Sequence, residues 1–425
     1  MDLWLYVLLV VGLLLLRVPV AFAMILPSLL YFTSHGLSVG YAATYMFNGV
    51  NSFPLLAVPL FIFMGTLANG LGIATRLYDF ARALLPRLPG NLAYVNLGTS
   101  LGFSWISGTA FADAASVSKV QIPQMLKSGY PYGFSAGLTA AGSLISSVMP
   151  PSIPAVLFAA TASISTGALF AGSVLPALLI VVGLAAYIGV WAFFHREIAG
   201  GAEFDGRIFA KATVRVLGPA LLPIIVLGGI FSGLFTPTES AGVAAIVTLV
   251  LGACYRTLTW DAFWKATKDT VITSAGILLI LAASNLLGQV LAREQVSRTL
   301  TDWLTYATDS PVVFLLLVVV LLIGLGLFLE PPPAILVMVP ILLPIAGQYG
   351  IDPVHLGTIT ILSLMIGTLT PPVGAVLFVI GSVTRRPMGE LFRAVLPFLV
   401  PLLAVLAILV FVPHVSTIVP DLLGL

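Results

Sequence analysis

The sequence has little charge and a single cysteine, and both shortages restrict what the protein can be. Charged residues make up 8% of the 425 positions, whereas hydrophobic residues make up 59%. A chain with so few polar groups cannot cover the surface of a soluble globule, so we expect an integral membrane protein. Cys254 has no second cysteine to pair with, which excludes an internal disulfide. The net charge is only +2 and the basic residues are dispersed, so we expect no nucleic-acid partner.

Motifs for enzymatic chemistry are also scarce. The sequence contains no Walker A loop and no zinc-type His pair, so it does not support an ATP-driven pump or a metalloprotease. Residues 105–108 resemble the surroundings of an intramembrane serine nucleophile, but no recognisable motif places a histidine beside Ser107. We therefore expect that the protein is not an enzyme, with an intramembrane serine hydrolase or an anion channel as the alternatives.

Long apolar runs recur along the chain and predict several membrane-crossing helices. The first run continues past Arg17 and lacks the basic flank of a signal peptide, so we expect an uncleaved membrane helix there. The runs cover residues 3–16, 55–70, 171–194, 217–235, 240–254, 270–292 and 394–412. This pattern predicts an all-α polytopic membrane protein.

Two segments in different halves of the chain each place Pro-Pro in the middle of an apolar helix. Residues 143–176 and 363–397 share Ser-Leu, Pro-Pro, Ala-Val-Leu-Phe, Gly-x-Leu-Phe and Val-Leu-Pro, displaced by 220 to 222 positions. Proline has no N–H, so these breaks should leave nearby carbonyls without helical donors. In a membrane, such groups persist only where protein, water or a ligand satisfies them. The sequence therefore predicts an internal repeat with a broken helix in each half.

Each break is expected to have one end that suits a cation and one that suits an anion. In the first half, carbonyls and hydroxyls of Ser146, Ser147 and Met149 suit a cation, and free N–H groups near Ser152 suit an anion. The second half frees the corresponding carbonyls, adds a hydroxyl and restarts its helix after the prolines. The residues involved there are Gly367, Thr368, Thr370 and Val373.

An interrupted apolar segment precedes each break and predicts a re-entrant hairpin. The tips are expected at residues 104–109 and 324–333. A full crossing would place Asp113 or Glu330 in hydrocarbon, whereas a hairpin buried against protein tolerates them. Alternatively, the small residues at the first tip serve helix packing, and Glu330 is a partly solvated helix cap.

Lys and Arg are distributed in opposite senses in the two halves. Residues 71–132 carry five of them, whereas the matching residues 291–354 carry two. After the breaks the bias reverses, because residues 155–176 carry none and residues 376–397 carry three. By the positive-inside rule, the halves are inserted in opposite orientations, with the segment at Lys119 and Lys127 in the cytoplasm. We therefore expect two inverted repeats.

Five motifs together resemble the large membrane subunit of tripartite ATP-independent periplasmic (TRAP) transporters, over nearly the whole chain. They are Ser-Gly-Thr-Ala…Ala-Asp at 107–113, Pro-Pro-Ser-Ile-Pro at 150–154, Thr-Pro-Thr-Glu at 236–239, Glu-Pro at 330–331 and Thr-Pro-Pro-Val-Gly at 370–374. The resemblance implies an elevator-type architecture of the ion-transporter superfamily and a sodium-driven importer in the bacterial inner membrane. It also implies a small four-helix membrane subunit and a periplasmic substrate-binding protein as partners, with membrane lipid around the chain.

The same resemblance implies where ions and substrate bind. Sodium sites should lie between each hairpin tip and the broken helix of its own half. The expected Na+ ligands are Ser104, Ser107, Gly108 and Met149 in the first half, and Gly326, Glu330, Thr368 and Thr370 in the second. The expected contacts to a small carboxylate substrate are Ser107, Thr109, Ser152, Val373 and Gly374. A C4-dicarboxylate, a sugar acid such as sialic acid, and a keto or amino acid all stay open.

The elevator interpretation divides the chain into moving and static parts. We expect residues 91–195 and 311–425 to form the transport domain, and residues 1–90 and 196–310 to form the scaffold. Within the scaffold, the basic and aromatic stretches at 76–87 and 293–303 are expected to be interfacial arm helices.

Overall fold

The structure is a computed structural model, and it describes residues 3–16, 18–196, 198 and 203–425. Every regular element within this part of the chain is a helix. Eight helical stretches there are long and apolar enough to cross a membrane. They are residues 53–70, 132–162, 166–194, 206–231, 237–254, 260–293, 331–348 and 388–411. The prediction of an all-helical, multi-pass membrane protein is therefore confirmed.

The first quarter of the chain forms helices that precede the first repeat's hairpin. They are α1 (Leu3–Leu15), α2 (Val20–Ser34), α3 (Val39–Val50), a 3-10 turn (Phe53–Leu56), α4 (Ala57–Gly70) and α5 (Ile73–Leu84). The first apolar run does not form one long helix, because α1 ends at Leu15 and α2 begins after Pro19. With 13 residues, α1 is shorter than the roughly 20 residues of a membrane span. Arg17 lies outside the described residues.

The next segment contains the first hairpin and the first broken helix. Its helices are α6 (Asn91–Ser107), α7 (Ala110–Lys127), α8 (Tyr132–Ser143), α9 (Ile145–Val148), α10 (Ile153–Ala162) and α11 (Thr166–Phe194). Helices α6 and α7 form hairpin 1, whose turn contains Gly108 in the left-handed conformation at φ 62°. Helices α8, α9 and α10 form broken helix 1, interrupted at residues 149–152. The predicted positions of this tip and this break are confirmed.

The second half of the chain follows the same order. Its helices are α12 (Gly206–Phe231), α13 (Pro237–Cys254), α14 (Trp260–Arg293), α15 (Val296–Ala307), α16 (Pro311–Gly326), α17 (Pro331–Gln348), α18 (Pro353–Leu369), α19 (Ala375–Thr384), α20 (Met388–Phe411) and α21 (His414–Leu423). Helices α16 and α17 form hairpin 2, and α18 and α19 form broken helix 2, interrupted at residues 370–374. The helix restarts at Ala375 rather than near Val373, because Gly374 adopts a left-handed conformation.

The two broken helices run in opposite directions. The Tyr132 hydroxyl, at the start of α8, lies 2.9 Å from the Thr384 hydroxyl at the end of α19. At the other end, a Cβ added to Gly357 near the start of α18 would lie 2.8 Å from the ring of Phe158 near the end of α10. The start of each broken helix thus lies beside the end of the other, which confirms the inverted relation of the repeats. Which side of the membrane each end faces stays a prediction.

The repeats also exchange contacts. Helix α10 of the first half packs against α17 of hairpin 2, and α19 of the second half packs against α7 of hairpin 1. Each hairpin also packs through its first arm on the first part of its own broken helix. The hairpins and broken helices of both halves therefore form one interlocked unit.

A short helix precedes each hairpin, as the basic and aromatic stretches predict. These arm helices are α5 and α15, and each follows a residue in the left-handed conformation, Gly72 at φ 73° and Gln295 at φ 52°. Arg76 on α5 stacks on the ring of Tyr255 at 3.5 Å, which attaches this arm to the end of α13.

Candidate functional site

A cavity of about 520 Å³ lies where the two hairpin tips approach each other. One wall comes from both tips and the start of α10, and the other comes from α4 and α14. The lining residues are Ile62, Gly65, Thr66, Ser107, Thr109, Phe111, Ala112, Ser147, Ile153, Pro154, Ile272, Thr273, Gly276, Ile277, Ile280, Glu330, Pro331, Pro332 and Pro333. Its volume is in the range of small-molecule sites, which is about 300–1,000 Å³. The cavity can therefore hold a small organic molecule.

Four of the predicted site residues, Ser107, Thr109, Ser147 and Glu330, line this cavity. The other predicted residues lie near the tips or breaks and do not line it; they are Ser104, Gly108, Met149, Ser152, Gly326, Thr368, Thr370, Val373 and Gly374. The sequence interpretation missed Thr66 on α4 and Thr273 on α14, which face the cavity from the opposite wall. Both lie on uninterrupted helices, so no break or motif marks them.

Hydrogen bonds attach the tip of hairpin 1 to broken helix 1. The Ile153 N–H donates to the Gly108 carbonyl at 3.2 Å, and the Ala110 N–H donates to the Ser147 hydroxyl at 2.8 Å. These bonds join residues about 40 positions apart in the chain, so local sequence does not reveal them.

Hydrogen bonds occupy the N–H groups at the start of α10, where the sequence predicted an anion-binding end of break 1. Free N–H groups were predicted near Ser152, but the Ile153 N–H is used by Gly108 and the Ala155 N–H donates to the Ser152 hydroxyl at 3.2 Å. Pro154 has no N–H to offer, and the Val156 N–H donates to the Ser152 carbonyl at 3.1 Å. The first turn of α10 is satisfied by protein, so the prediction of free donors there is wrong.

Two of the carbonyls predicted to lack donors also have partners. The Ser147 carbonyl accepts from the Ser152 hydroxyl at 2.5 Å, and the Gly367 carbonyl accepts from the Thr370 N–H at 3.0 Å. The hydroxyls of Thr368 and Thr370 donate back to α18 at 2.7 and 2.8 Å. Because carbonyl and hydroxyl oxygens each have two lone pairs, these atoms keep capacity to bind a cation. The prolines after Thr368 leave its carbonyl without a helical donor, as predicted.

Hairpin 2 meets its broken helix through glycine backbones. A Cβ on Gly326 would lie 2.5 Å from the Leu364 carbonyl oxygen, and a Cβ on Gly367 would lie 2.6 Å from the Ile323 carbonyl oxygen. No side chain fits at either position without displacing backbone. The structure therefore gives Gly326 a packing role, whereas its predicted sodium contact stays a prediction.

Asp113 is a further polar residue at the junction of hairpin 1, and it was not among the predicted ligands. Its side chain is fully buried, and one carboxylate oxygen accepts from the Ser146 hydroxyl at 2.7 Å. The other oxygen has no hydrogen-bond partner among the described residues. A buried acid within a membrane protein is a candidate functional residue by default.

The static and moving parts predicted from the sequence touch at the tip of hairpin 1. A Cβ added to Gly65 on α4 would lie 3.1 Å from the Ser107 carbonyl oxygen. The tip therefore lies directly against α4, with the cavity beside this contact.

Comparisons with known proteins give this architecture a family. The model of the family described as "Tripartite ATP-independent periplasmic transporter, DctM component" matches residues 7–415. The sialic acid TRAP transporter large permease protein SiaM of Vibrio cholerae is 39% identical over 97% of this chain and 96% of that protein. The C4-dicarboxylate TRAP transporter large permease protein DctM of Pseudomonas aeruginosa is 36% identical, covering 91% of each chain.

A more distant relative and a solved structure are also similar to the chain. The 2,3-diketo-L-gulonate TRAP transporter large permease protein YiaN of Escherichia coli is 30% identical, covering 93% of each chain. The crystal structure of the Alcanivorax borkumensis YdaH transporter is 19% identical and covers 88% of each chain, with a TM-score of 0.61. At that identity the likeness concerns the fold alone.

Inverted repeats, each with a hairpin and a broken helix, and with both hairpin tips at one cavity, define a secondary membrane transporter. The chain belongs to the family of TRAP transporter DctM components, the large permease subunits. The expectation that it is not an enzyme is confirmed by these relatives, which are named permeases. No histidine lies among the described residues that line the cavity with Ser107.

Proposed function

We propose that the protein is the large membrane subunit of a sodium-coupled importer of organic-acid carboxylates in the bacterial inner membrane. The observation that carries this proposal is the cavity at which both hairpin tips and the start of α10 meet α4 and α14. In this proposal a periplasmic binding protein delivers the substrate, and a small four-helix membrane subunit completes the complex. The names of the sialate, C4-dicarboxylate and diketogulonate relatives support a carboxylate as the cargo.

The sodium ions would bind between each hairpin tip and its own break. In the first half the donors would be oxygens of Ser104, Ser107, Gly108 and Met149. In the second half they would be oxygens of Gly326, Thr368, Thr370 and Glu330. Carbonyls and hydroxyls left over at interrupted helices are the donors that bind Na+ in other transporters with broken helices, which supports this placement. The buried carboxyl group of Asp113 lies beside break 1, where it accepts from the Ser146 hydroxyl.

Hydroxyl groups of hairpin 1 and broken helix 1 would hold the substrate carboxylate. Ser147 accepts from the Ala110 N–H, and Thr109 accepts from the Ala112 N–H at 3.3 Å, so each keeps its own hydrogen to donate. Among the described residues, the cavity wall contains no Lys, Arg or His. The positive charge that balances the carboxylate would therefore come from the bound sodium ions.

The movement would be an elevator. Both hairpins and broken helix 1, which belong to the interlocked unit, form one face of the cavity, and α4 and α14 form the other. Sliding the first group past the second would carry the cavity across the membrane without opening it to both sides at once. This supports residues 91–195 and 311–425 as the transport domain, and residues 1–90 and 196–310 as the scaffold.

Reconstitution into liposomes tests the proposal directly. Uptake of the cognate carboxylate should need the large subunit, the small subunit, the binding protein and an inward sodium gradient. Replacing sodium with choline should abolish uptake, and omitting the binding protein should strongly reduce it. Unchanged uptake in choline would contradict sodium coupling.

The same liposomes separate a carrier from an anion channel. A sodium-coupled carrier accumulates substrate above its outside concentration, whereas a channel only equilibrates it. Calorimetry on the binding protein encoded beside this chain would identify the carboxylate.

A further inference from the structure

A second cavity, of about 650 Å³, lies between the end of α14, the arm helix α15 and the second arm of hairpin 2, α17. We call it the arm groove. It has no lining residue in common with the cavity at the hairpin tips. The arm groove is therefore a separate place where a molecule can bind.

The groove changes from polar to apolar along α17. Gln348, the last residue of this helix, lines one end, while Pro344 and Pro340 line the groove four and eight residues earlier. At 1.5 Å per residue, the lining descends about 12 Å from the helix end. Prolines present apolar rings and no N–H, so this wall offers no backbone donor at those two positions.

The wall formed by α14 changes in the same direction. Gln295 lies at the junction between α14 and α15, and Leu291 and Gly288 line the groove progressively deeper along α14. A Cβ added to Gly288 would meet nothing within 4 Å, so the deep end is open space. Both long walls thus place amide side chains at the helix ends and apolar surface below them.

A positive charge lies at the polar end. Arg298 on α15 lines the groove and is exposed. Asp302, one turn further along α15, also lines it and has an interaction partner of its own. An arginine at the surface with amides beside it suits a phosphate group, which accepts several hydrogen bonds from a guanidinium.

We propose that the arm groove is a phospholipid site. The phosphate would lie at Arg298 between Gln295 and Gln348, and the upper acyl chain would lie against Pro344, Pro340 and Leu291. A depth of about 12 Å below the helix ends covers the glycerol region and the first part of an acyl chain. Because α14 and α15 form one wall and hairpin 2 forms the other, the lipid would contact both parts of the proposed elevator.

Photo-crosslinking tests this site without any transport measurement, so failure of sodium coupling would leave the result unaffected. The full chain is placed in nanodiscs with a phospholipid that carries a diazirine near the top of one acyl chain. After irradiation, mass spectrometry of peptides should locate saturable adducts within residues 288–298 and 340–348. Excess unlabelled phospholipid should compete with the labelled lipid and lower the yield of these adducts.

Two variants and two matched controls decide the outcome. Arg298→Gln should lower the adduct yield at least about fivefold, because the phosphate loses its charged partner. Gly288→Phe should reduce the yield to background, because the ring fills the deep end. Arg293→Gln changes a nearby arginine that lies over Phe32 instead, and should leave the yield unchanged. Gly228→Phe places the same ring at another open helix position and should also have no effect.

The proposal is overturned if the adducts lie outside these two segments. It is also overturned if Arg298→Gln and Gly288→Phe label as strongly as the wild type, since that result means bulk lipid contact only. Ala292→Leu supplies a second filling variant if Gly288→Phe does not yield monodisperse protein. Ala292 lines the groove near its polar end, so this variant should also lower the yield.

Discussion

The two hairpins are attached to their broken helices by different kinds of contact. Hairpin 1 is attached through hydrogen bonds, with the Ala110 N–H on Ser147 and the Ser146 hydroxyl on Asp113. Hairpin 2 is attached through close backbone contact at Gly326 and Gly367. The structure thus keeps the repeated path of the chain in both halves but uses different chemistry to hold it.

Residues at equivalent positions of the two repeats show the difference between the two junctions directly. Asp113 is the fourth residue of α7, and Ala334 is the fourth residue of α17. Ser146 lies three residues before the end of its half-helix segment at Met149, and Gly367 lies three residues before Thr370. In the first half, Asp113 and Ser146 supply a carboxylate and a hydroxyl. In the second half, Ala334 and Gly367 are both small and apolar. We infer that the polar junction is sensitive to charge and the glycine junction is sensitive to volume.

The comparison of the two hairpins depends on the inverted insertion of the two halves in the membrane. Cysteine labelling tests this inversion most sharply. With exposed Cys254 replaced by Ser, single cysteines are introduced at Ser128 after hairpin 1 and at Gln348 at the end of hairpin 2. Both positions are exposed. In intact spheroplasts, Gln348→Cys should react with a membrane-impermeant maleimide and Ser128→Cys should not. After lysis both should react. Labelling of both from outside would mean that the repeats have the same orientation.

Added volume at hairpin 2 should have the largest energetic effect. Gly326→Val forces a side chain against the Leu364 carbonyl, and we expect a loss of about 3 kcal/mol in unfolding free energy, the upper end of typical overpacking costs. Thermal unfolding in detergent measures it. Gly324→Val on the same helix is the matched control, because its Cβ would meet nothing within 4 Å. Equal stability of the two variants would remove the packing role of Gly326.

Loss of the carboxyl group at hairpin 1 should affect transport rather than folding. Asp113→Asn keeps the shape and an acceptor for Ser146 but removes the ionisable group beside break 1. We expect sodium-driven uptake to fall about tenfold, equivalent to about 1.4 kcal/mol, with a weaker apparent sodium affinity and nearly unchanged thermal stability. Glu239→Gln, an acid-to-amide change in the cap of α13, should leave uptake intact. Wild-type uptake by Asp113→Asn would make Asp113 a purely structural residue.

The smallest change in free energy is expected for one hydrogen bond at the same junction, that of Ser147, whose hydroxyl is also a proposed substrate contact. Ser147→Ala leaves the buried Ala110 N–H without its acceptor, which should cost about 1 kcal/mol. Hydrogen exchange at the tip of hairpin 1 should rise, while exchange at hairpin 2 should not. Ser143→Ala is the control, since that hydroxyl bonds only within its own helix. Faster exchange at both tips would show that the junctions are not independent.

The sequence predicted the features that proline and glycine impose locally. The breaks at Pro150 and Pro371 follow from missing N–H groups, and the tip at residues 104–109 follows from the interruption of an apolar segment. These effects act within a few residues. The inverted relation also follows from sequence, because membrane insertion depends on the position of charged residues.

What the sequence did not reveal depends on contacts between distant segments. The N–H groups at the start of α10 were predicted free, but the Ile153 N–H finds the Gly108 carbonyl 45 positions earlier. Thr66 and Thr273 enter the cavity from two uninterrupted helices that meet only in the folded chain. The buried environment of Asp113 likewise depends on the approach of Ser146. Such contacts between distant residues arise from tertiary packing, and no local sequence pattern predicts them.

The exchanged packing of the repeats has a consequence for how the chain is made. Helix α10 packs against α17, and α7 packs against α19, yet α17 and α19 begin about 180 and 265 positions later in the chain. During synthesis, hairpin 1 and broken helix 1 are therefore inserted into the membrane before α17 and α19, the helices that later cover them. The first repeat reaches its final packing only when the second has been inserted, which makes assembly of the transport unit one of the last steps of biogenesis.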